Sequence, residues 1–170
     1  MTEPTPEIIG PSYPWPEIVR FIWYRKFAAL ATSTLSGEPR VDPLLYASDE
    51  RYIYITIIPR TRKLELLREN NKVAVTIFDP YNEDWTRSGS IIIRGEAEFI
   101  DFDSQEYEKV VNLMKEKYVQ VERRGVIVLY ELREAPIIKI DLKKAKISTA
   151  GIHGHSDEEM RAMMEKHRKE

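Results

Sequence analysis

The stretch FAALATSTLSGEPRVDPLLYASDERYIYITII, Phe27 to Ile58, decides the fold. It reads as three β-strands in immediate succession, Phe27–Thr34, Pro39–Ala47 and Tyr52–Ile58, because β-branched, aromatic and other apolar residues cluster between two turn signals. The first turn is Leu35-Ser36-Gly37-Glu38 and the second Asp49-Glu50. Connections this short force the strands to run antiparallel, since a parallel crossover needs a dozen residues or more. A doubly wound parallel sheet is therefore not expected.

Outward from this meander the chain keeps the same character. Before it, Pro16 can open a helix whose Ile18, Val19, Ile22 and Trp23 form one apolar stripe ending near Lys26. Before that, Pro4, Pro6, Pro11 and Pro14 make residues 1–15 an extended arm with no fold of its own. After it, Thr61 is placed to cap a short helix Arg62–Asn70, followed by a strand Lys72–Asp79 and a polar loop Pro80–Ser88 containing Trp85. A long strand Gly89–Asp101 alternates Ile91, Ile93, Ala97 and Phe99 with wetter residues, and Gly95 marks a bulge or a close backbone approach. Asp103 and Glu106 read as a capping box for a helix to about Arg123, and Val126–Leu132 and Pro136–Leu142 read as two last strands. Ser156 and Glu159 would cap a C-terminal helix. The expected organisation is an arm over 1–15, a mainly β barrel domain over 16–145 with helices at its ends, and a tail and helix over 146–170.

Composition removes whole classes of function. The 170 residues contain no Cys, which excludes disulfides, thiolate nucleophiles, Cys-ligated zinc and iron–sulfur clusters. With 26 Lys and Arg against 28 Asp and Glu, no global field draws in nucleic acid or an anionic membrane. No apolar run approaches a membrane span and the arm does not resemble a signal peptide, so a cytoplasmic location is expected. Many charges of both signs with few Gly also fit a thermophile's protein. No Gly-x-Ser-x-Gly elbow is present, and all three histidines lie beyond residue 150, leaving the barrel no axial histidine for haem. His153, His155, Asp157 and Glu158 have metal-ligand character, yet two histidines in a tail do not make a metal site, and none is expected.

One segment breaks a local rule. A helix N-terminus carries about half a positive charge and disfavours cations, yet Arg60, Arg62 and Lys63 crowd the start of the helix expected at 62. A bound dianion would compensate, held by free amides, by the Thr56 and Thr61 hydroxyls and by the three cations. The alternative is a solvated basic loop balanced by Glu65 and Glu69. In the strand just before, Ile53, Ile55 and Ile57 would fill the barrel and leave Tyr52, Tyr54 and Thr56 for a planar ligand or a subunit interface.

Phe27-Ala28-Ala29-Leu30-Ala31-Thr32, Gly37-Glu38-Pro39-Arg40-Val41-Asp42-Pro43, Tyr54-Ile55-Thr56, Arg62-Lys63, Asn70-Asn71-Lys72-Val73 and Arg94-Gly95-Glu96-Ala97-Glu98 occur in order. In order and spacing the set resembles the pyridoxamine 5′-phosphate oxidase-like FMN-binding split-barrel proteins. The resemblance implies a six-stranded antiparallel split β-barrel of Greek-key type and a two-fold homodimer with FMN at the subunit interface. It places Arg40, Val41, Asp42 and Pro43 beside the isoalloxazine, Ile55 and Thr56 at the ribityl and phosphate, and Arg62 and Lys63 on the phosphate. One extra residue before Lys63 lets Arg60 or Thr61 take the place of the family's serine. Trp85 and Ser90 match positions that the partner subunit lends. The apolar stripe with Phe21, Ile22 and Trp23 is expected to add to the dimer interface.

Two departures narrow the function. Where the oxidases carry a lysine toward the substrate phosphate this chain has Leu45, and where they have a C-terminal Arg-x-His it has His153-Gly154-His155. The expectation is an FMN-dependent oxidoreductase acting on some other small molecule or electron donor. F420 is the alternative cofactor and a non-catalytic flavin-binding module the alternative function. No catalytic acid or base is assigned, because the flavin itself carries the electron transfer.

Overall fold

The computed structural model describes residues 5–11, 13–79, 89–118, 135–150 and 152. The elements are β1 (Glu7–Ile9), α1 (Trp15–Tyr24), β2 (Phe27–Ser33), β3 (Pro39–Leu45), β4 (Ala47–Ser48), β5 (Tyr52–Thr56), α2 (Arg62–Glu69), β6 (Lys72–Phe78), β7 (Ser90–Phe99), α3 (Gln105–Lys117), β8 (Ile137–Asp141) and β9 (Lys146–Ala150). The strands run β3-β2-β6-β7-β8-β5-β4 across one curled sheet, antiparallel throughout, with β9 beside the first half of β7 and β1 outside β9. The protein is a mainly β half-barrel with flanking helices, as its opening meander requires.

The first hairpin forms because Gly37 takes φ of 89°, a conformation costly for any residue with a Cβ, while Thr34 Oγ1 accepts the Glu38 amide. The second turn is tied by Asp49 Oδ1, which accepts the amides of Arg51 and Tyr52. The strand expected over 39–47 is split at Tyr46. β3 pairs with β2, whereas β4 has crossed to β5. Tyr46 is fully buried at the crossing; its hydroxyl donates to the Ile22 carbonyl, and its amide donates to Tyr118 Oη.

β7 is divided too. Its first seven residues pair with β6, and residues 97–99 pair with β8. At the bend a Cβ on Gly95 would lie 3.2 Å from Ile140 Cγ2, so the glycine marks a close approach, as expected.

Leu30, Ile53, Ile55, Val75, Ile77, Ile91, Ile93, Ile138, Ile140 and Ile147 fill the inside of the sheet, closed by Ile18 and Ile22 from α1 and by Leu64 and Leu67 from α2. A second cluster lies under α3, where Tyr107, Val110 and Met114 cover Ala47, Tyr54 and Ile137. At the end of α3 the Lys117 Nζ is buried 3.8 Å from the Tyr46 ring centroid.

Several expectations are corrected. The sheet extends past both ends of the 16–145 barrel: β1 lies in the arm and β9 in the supposed tail, and they pair in parallel, Glu7 with Lys146 through Ile9 with Ser148. Backbone pairing settles a strand whose own side chains are too few and too mixed to signal it. Ser104, not Asp103, caps α3, its Oγ accepting the Tyr107 amide, and Glu106 turns away to Lys139 instead of back to the cap. Phe21 and Ile22 are buried within the chain and cannot face a partner. The loop with Trp85, the strand expected over 126–132, the end of the helix near Arg123 and the C-terminal helix lie outside the described residues.

Candidate functional site

The site grows from the junction of β5, α2 and β3. β5 ends at Thr56, Pro59 and Arg60 make a turn in which Arg60 adopts φ of 60°, and α2 begins at Arg62. A non-glycine residue in the left-handed region is strained by about 1–3 kcal/mol and is commonest at functional sites. Thr61 occupies the N-cap position without capping: its hydroxyl donates to the Ile58 carbonyl at 2.8 Å, so the first amides of α2 receive no side-chain acceptor from it.

Each cation has a different situation. Arg62 is exposed and lies 2.9 Å from Glu65 and 3.7 Å from Glu69, which is the solvated balance that the sequence allowed as an alternative. Lys63 is only 15% exposed and points toward β3, where its Nζ lies 3.9 Å from Asp42 Oδ1. Asp42 also accepts two bonds from Arg40, at 2.9 and 3.1 Å. The Arg40 guanidinium, reinforced by Lys63, holds the Asp42 carboxyl below the ordinary range against its partial burial. Arg60 is exposed in the turn.

The four residues of β3 assigned to the ring therefore part by strand alternation. Arg40 and Asp42 face α2, while Val41 and Pro43 project from the opposite, outer face. That outer face carries Phe27, Ala29 and Ala31 from β2, Ala74, Thr76 and Phe78 from β6, and Ile92 from β7, all placed by the pairing register. Phe27, Val41, Phe78 and Ile92 are 44, 63, 43 and 37% exposed. An open groove of about 670 Å³ on this side is lined by Ala31, Ser33, Pro39, Lys72, Ala74 and Arg94, among others. Ser90 shares the outer face but sits on β7, three strands from β3, and opposite the Leu45 end through Phe78 and Ile77. Within one chain it does not meet Arg40 or Lys63.

Ile55 is fully buried in the barrel beside Ile53 and Ile57, as the alternation of β5 predicts, which leaves only its backbone to meet a ligand. The face with Tyr52 and Tyr54 is not the open one expected: α3 covers it, Tyr54 is fully buried, and its hydroxyl donates to Asp49 Oδ2, which also binds Lys109. Burial and the Asp49 carboxylate raise the Tyr54 phenol well above its usual range, so it stays protonated. Thr56 keeps a partly exposed place at the end of β5, as Tyr52 does at its start. Among the described residues no group of three or more His, Asp or Glu could hold a metal, and His153 and His155 lie outside them. No described helix is long and apolar enough to cross a membrane.

A curled half-barrel with this strand order and flanking helices is the split-barrel architecture. The chain belongs to the pyridoxamine 5′-phosphate oxidase family, whose model matches residues 14–146. No match is found among curated proteins. Solved structures with the same fold include the haem storage protein HutZ of Vibrio cholerae, at 18% identity and a TM-score of 0.62, covering 78% of this chain and 91% of that one. A conserved hypothetical protein of Mycobacterium tuberculosis aligns at 17% identity and 0.65, over 92% and 96% of the two chains. An FAD-binding protein of Mesorhizobium loti aligns at 18% and 0.61, over 81% and 96%. At these identities the likeness is one of fold.

Proposed function

We propose that the chain is an FMN-dependent oxidoreductase that works as a homodimer on a small molecule other than pyridoxamine phosphate. The observation that carries this reading is the uncapped start of α2, where Lys63 and Arg62 stand with Thr61 beside amides left without a side-chain cap. These groups fit a phosphate ester. Lys63, Arg62, Arg60 and Thr61 would hold it, and Arg40 and Asp42 on β3 would border what the ester is attached to. When bound, the flavin supplies hydride or electron transfer. The protein's part is to bind, orient and keep water away. F420 remains the alternative cofactor, since the same cations would serve its phosphate, and a non-catalytic flavin module the alternative role.

The homodimer is supported by the outer sheet face. Among the described residues Phe27, Val41, Phe78 and Ile92 stand partly exposed there, and Val41 and Pro43 would bring the ligand strand against the second copy. Leu45 supports a substrate other than pyridoxamine phosphate: it packs against the cluster under α3 and offers no charge.

The test is an absorbance spectrum of the purified protein followed by fluorescence titration with FMN and with riboflavin, which lacks the phosphate. FMN should bind at least tenfold more tightly, and Lys63→Ala should remove most of that preference, as expected for one charge-assisted bond worth ~1.5–3 kcal/mol. Equal binding of the two flavins, or a haem band in their place, refutes the reading. Reduction of the bound flavin by NADH or NADPH separates the enzyme from the module.

A further inference from the structure

We infer that Asp42 is a selectivity residue of this site: it is the built-in counter-ion that keeps small free phosphates out and admits only a ligand that also contacts β3. The inference rests on the phosphate reading of the α2 start given above.

Three observations converge on it. Asp42 is the one acid of β3, and its side chain, 16% exposed, stands between two cations from different elements, Arg40 on its own strand and Lys63 in the first turn of α2. The contacts are unequal. Arg40 is bound at hydrogen-bond distance by two nitrogens, whereas Lys63 is held at 3.9 Å, beyond the 2.7–3.2 Å of a hydrogen bond. Lys63 is thus attracted without being consumed, and its ammonium protons remain available to a second anion. Lastly, the other carboxylates nearby are turned to Arg62: Glu65 and Glu69 are engaged with it on the solvent side, and Glu38 also acts on it.

A cluster of cations at an uncapped helix start would otherwise bind any phosphate. Asp42 subtracts one unit of charge from the field that such an anion meets at Lys63. A free phosphate has only charge to offer and loses most by this. A phosphate ester carrying a flat group along β3 gains contact there that Asp42 does not oppose. The same carboxylate holds Lys63 pointing inward before any ligand arrives, which lowers the ordering cost when one does.

The experiment compares the full-length wild type with Asp42→Asn and Asp42→Glu, using inorganic phosphate, FMN and riboflavin as probes. Phosphate is followed by calorimetry, flavins by fluorescence, and folding by circular dichroism. Asp42→Asn should bind inorganic phosphate about tenfold more tightly than wild type, the effect of removing one repelling charge a few ångströms away. FMN should tighten by no more than about threefold, riboflavin should change by less than twofold, and Asp42→Glu should stay near wild type for all three; an equal tightening of FMN and phosphate would show that Asp42 does not discriminate between them. A gain of affinity is the informative sign, because a merely structural loss of an ion pair weakens binding. If wild type prefers FMN to riboflavin but Asp42→Asn leaves phosphate binding unchanged or weaker, the role of Asp42 falls and the flavin reading survives. If phosphate tightens as expected but no flavin binds either form, the flavin reading fails and Asp42 keeps its role. If neither form binds phosphate and neither distinguishes FMN from riboflavin, both fall.

Discussion

Replacing Lys117 by methionine should stabilise the protein at neutral pH and flatten its response to pH. The Lys117 Nζ is buried with no hydrogen-bond acceptor among the described residues, although the stem of the side chain reaches the surface. Desolvation, helped by the charge of Lys26, pulls the ammonium down from 10.5 to about 7. The unfolded chain therefore binds more protons than the folded one between those two values, and stability rises with pH across that window at up to about 1.4 kcal/mol per unit. From pH 7 to 9 this amounts to about 2 kcal/mol. The Tyr46 ring, 3.8 Å from Nζ, favours the charged form by ~0.5–2 kcal/mol and trims the gain to about 1–2 kcal/mol without reversing it. Urea unfolding of both forms at pH 7 and pH 9 isolates the effect, since every other titrating group cancels in the difference. Parallel pH dependences for wild type and Lys117→Met would show that the amine is solvated or paired in solution and would refute the reasoning.

Other outcomes follow from the same geometry. Val41→Glu places a charge on the outer face of the edge strand β3, so light scattering at low micromolar concentration should show monomers where wild type shows dimers, with secondary structure retained; a dimeric variant would move the interface elsewhere. Arg60→Gly relieves the left-handed strain and should raise stability by roughly 0.5–1 kcal/mol while weakening FMN binding, two opposite effects that denaturation and titration read separately. Ser104→Ala removes the cap that accepts the Tyr107 amide and should cost about 1 kcal/mol in unfolding free energy, whereas Asp103→Ala should change stability by less than about 0.5 kcal/mol.

The meander of β2, β3 and β5 was legible because its turns and apolar residues both mark local structure. Gly95 was legible for the same reason: a glycine inside a strand pattern announces that something comes close. What stayed hidden was long-range. β9 has only Ile147 and Thr149 to bury, and it is a strand because β7 and β1 lie on either side of it. Tyr54 looked like part of an open ligand face because alternation tells which residues share a side but not what covers that side; α3 does. Ile55 entered the candidate site through the family likeness alone, and the burial of its side chain follows from the alternation that had already put Ile53 and Ile57 inward. The basic start of α2 could be read from spacing. Its coupling to Asp42 could not, since nothing local joins residues 42 and 63.

The parallel pairing of β1 with β9 has a consequence in time. Its partners lie about 140 residues apart, so a ribosome adding roughly 5–20 residues per second makes β9 roughly 7–28 seconds after it makes β1. Throughout that interval Glu7–Ile9 has no partner strand, and the flank of β7 that β9 will cover stands open. An open flank of this kind invites pairing with a neighbouring nascent chain. The prolines at 4, 6, 11 and 14 that bracket β1 keep its own end short and unable to extend a ladder, which limits that hazard on the one strand that must wait longest.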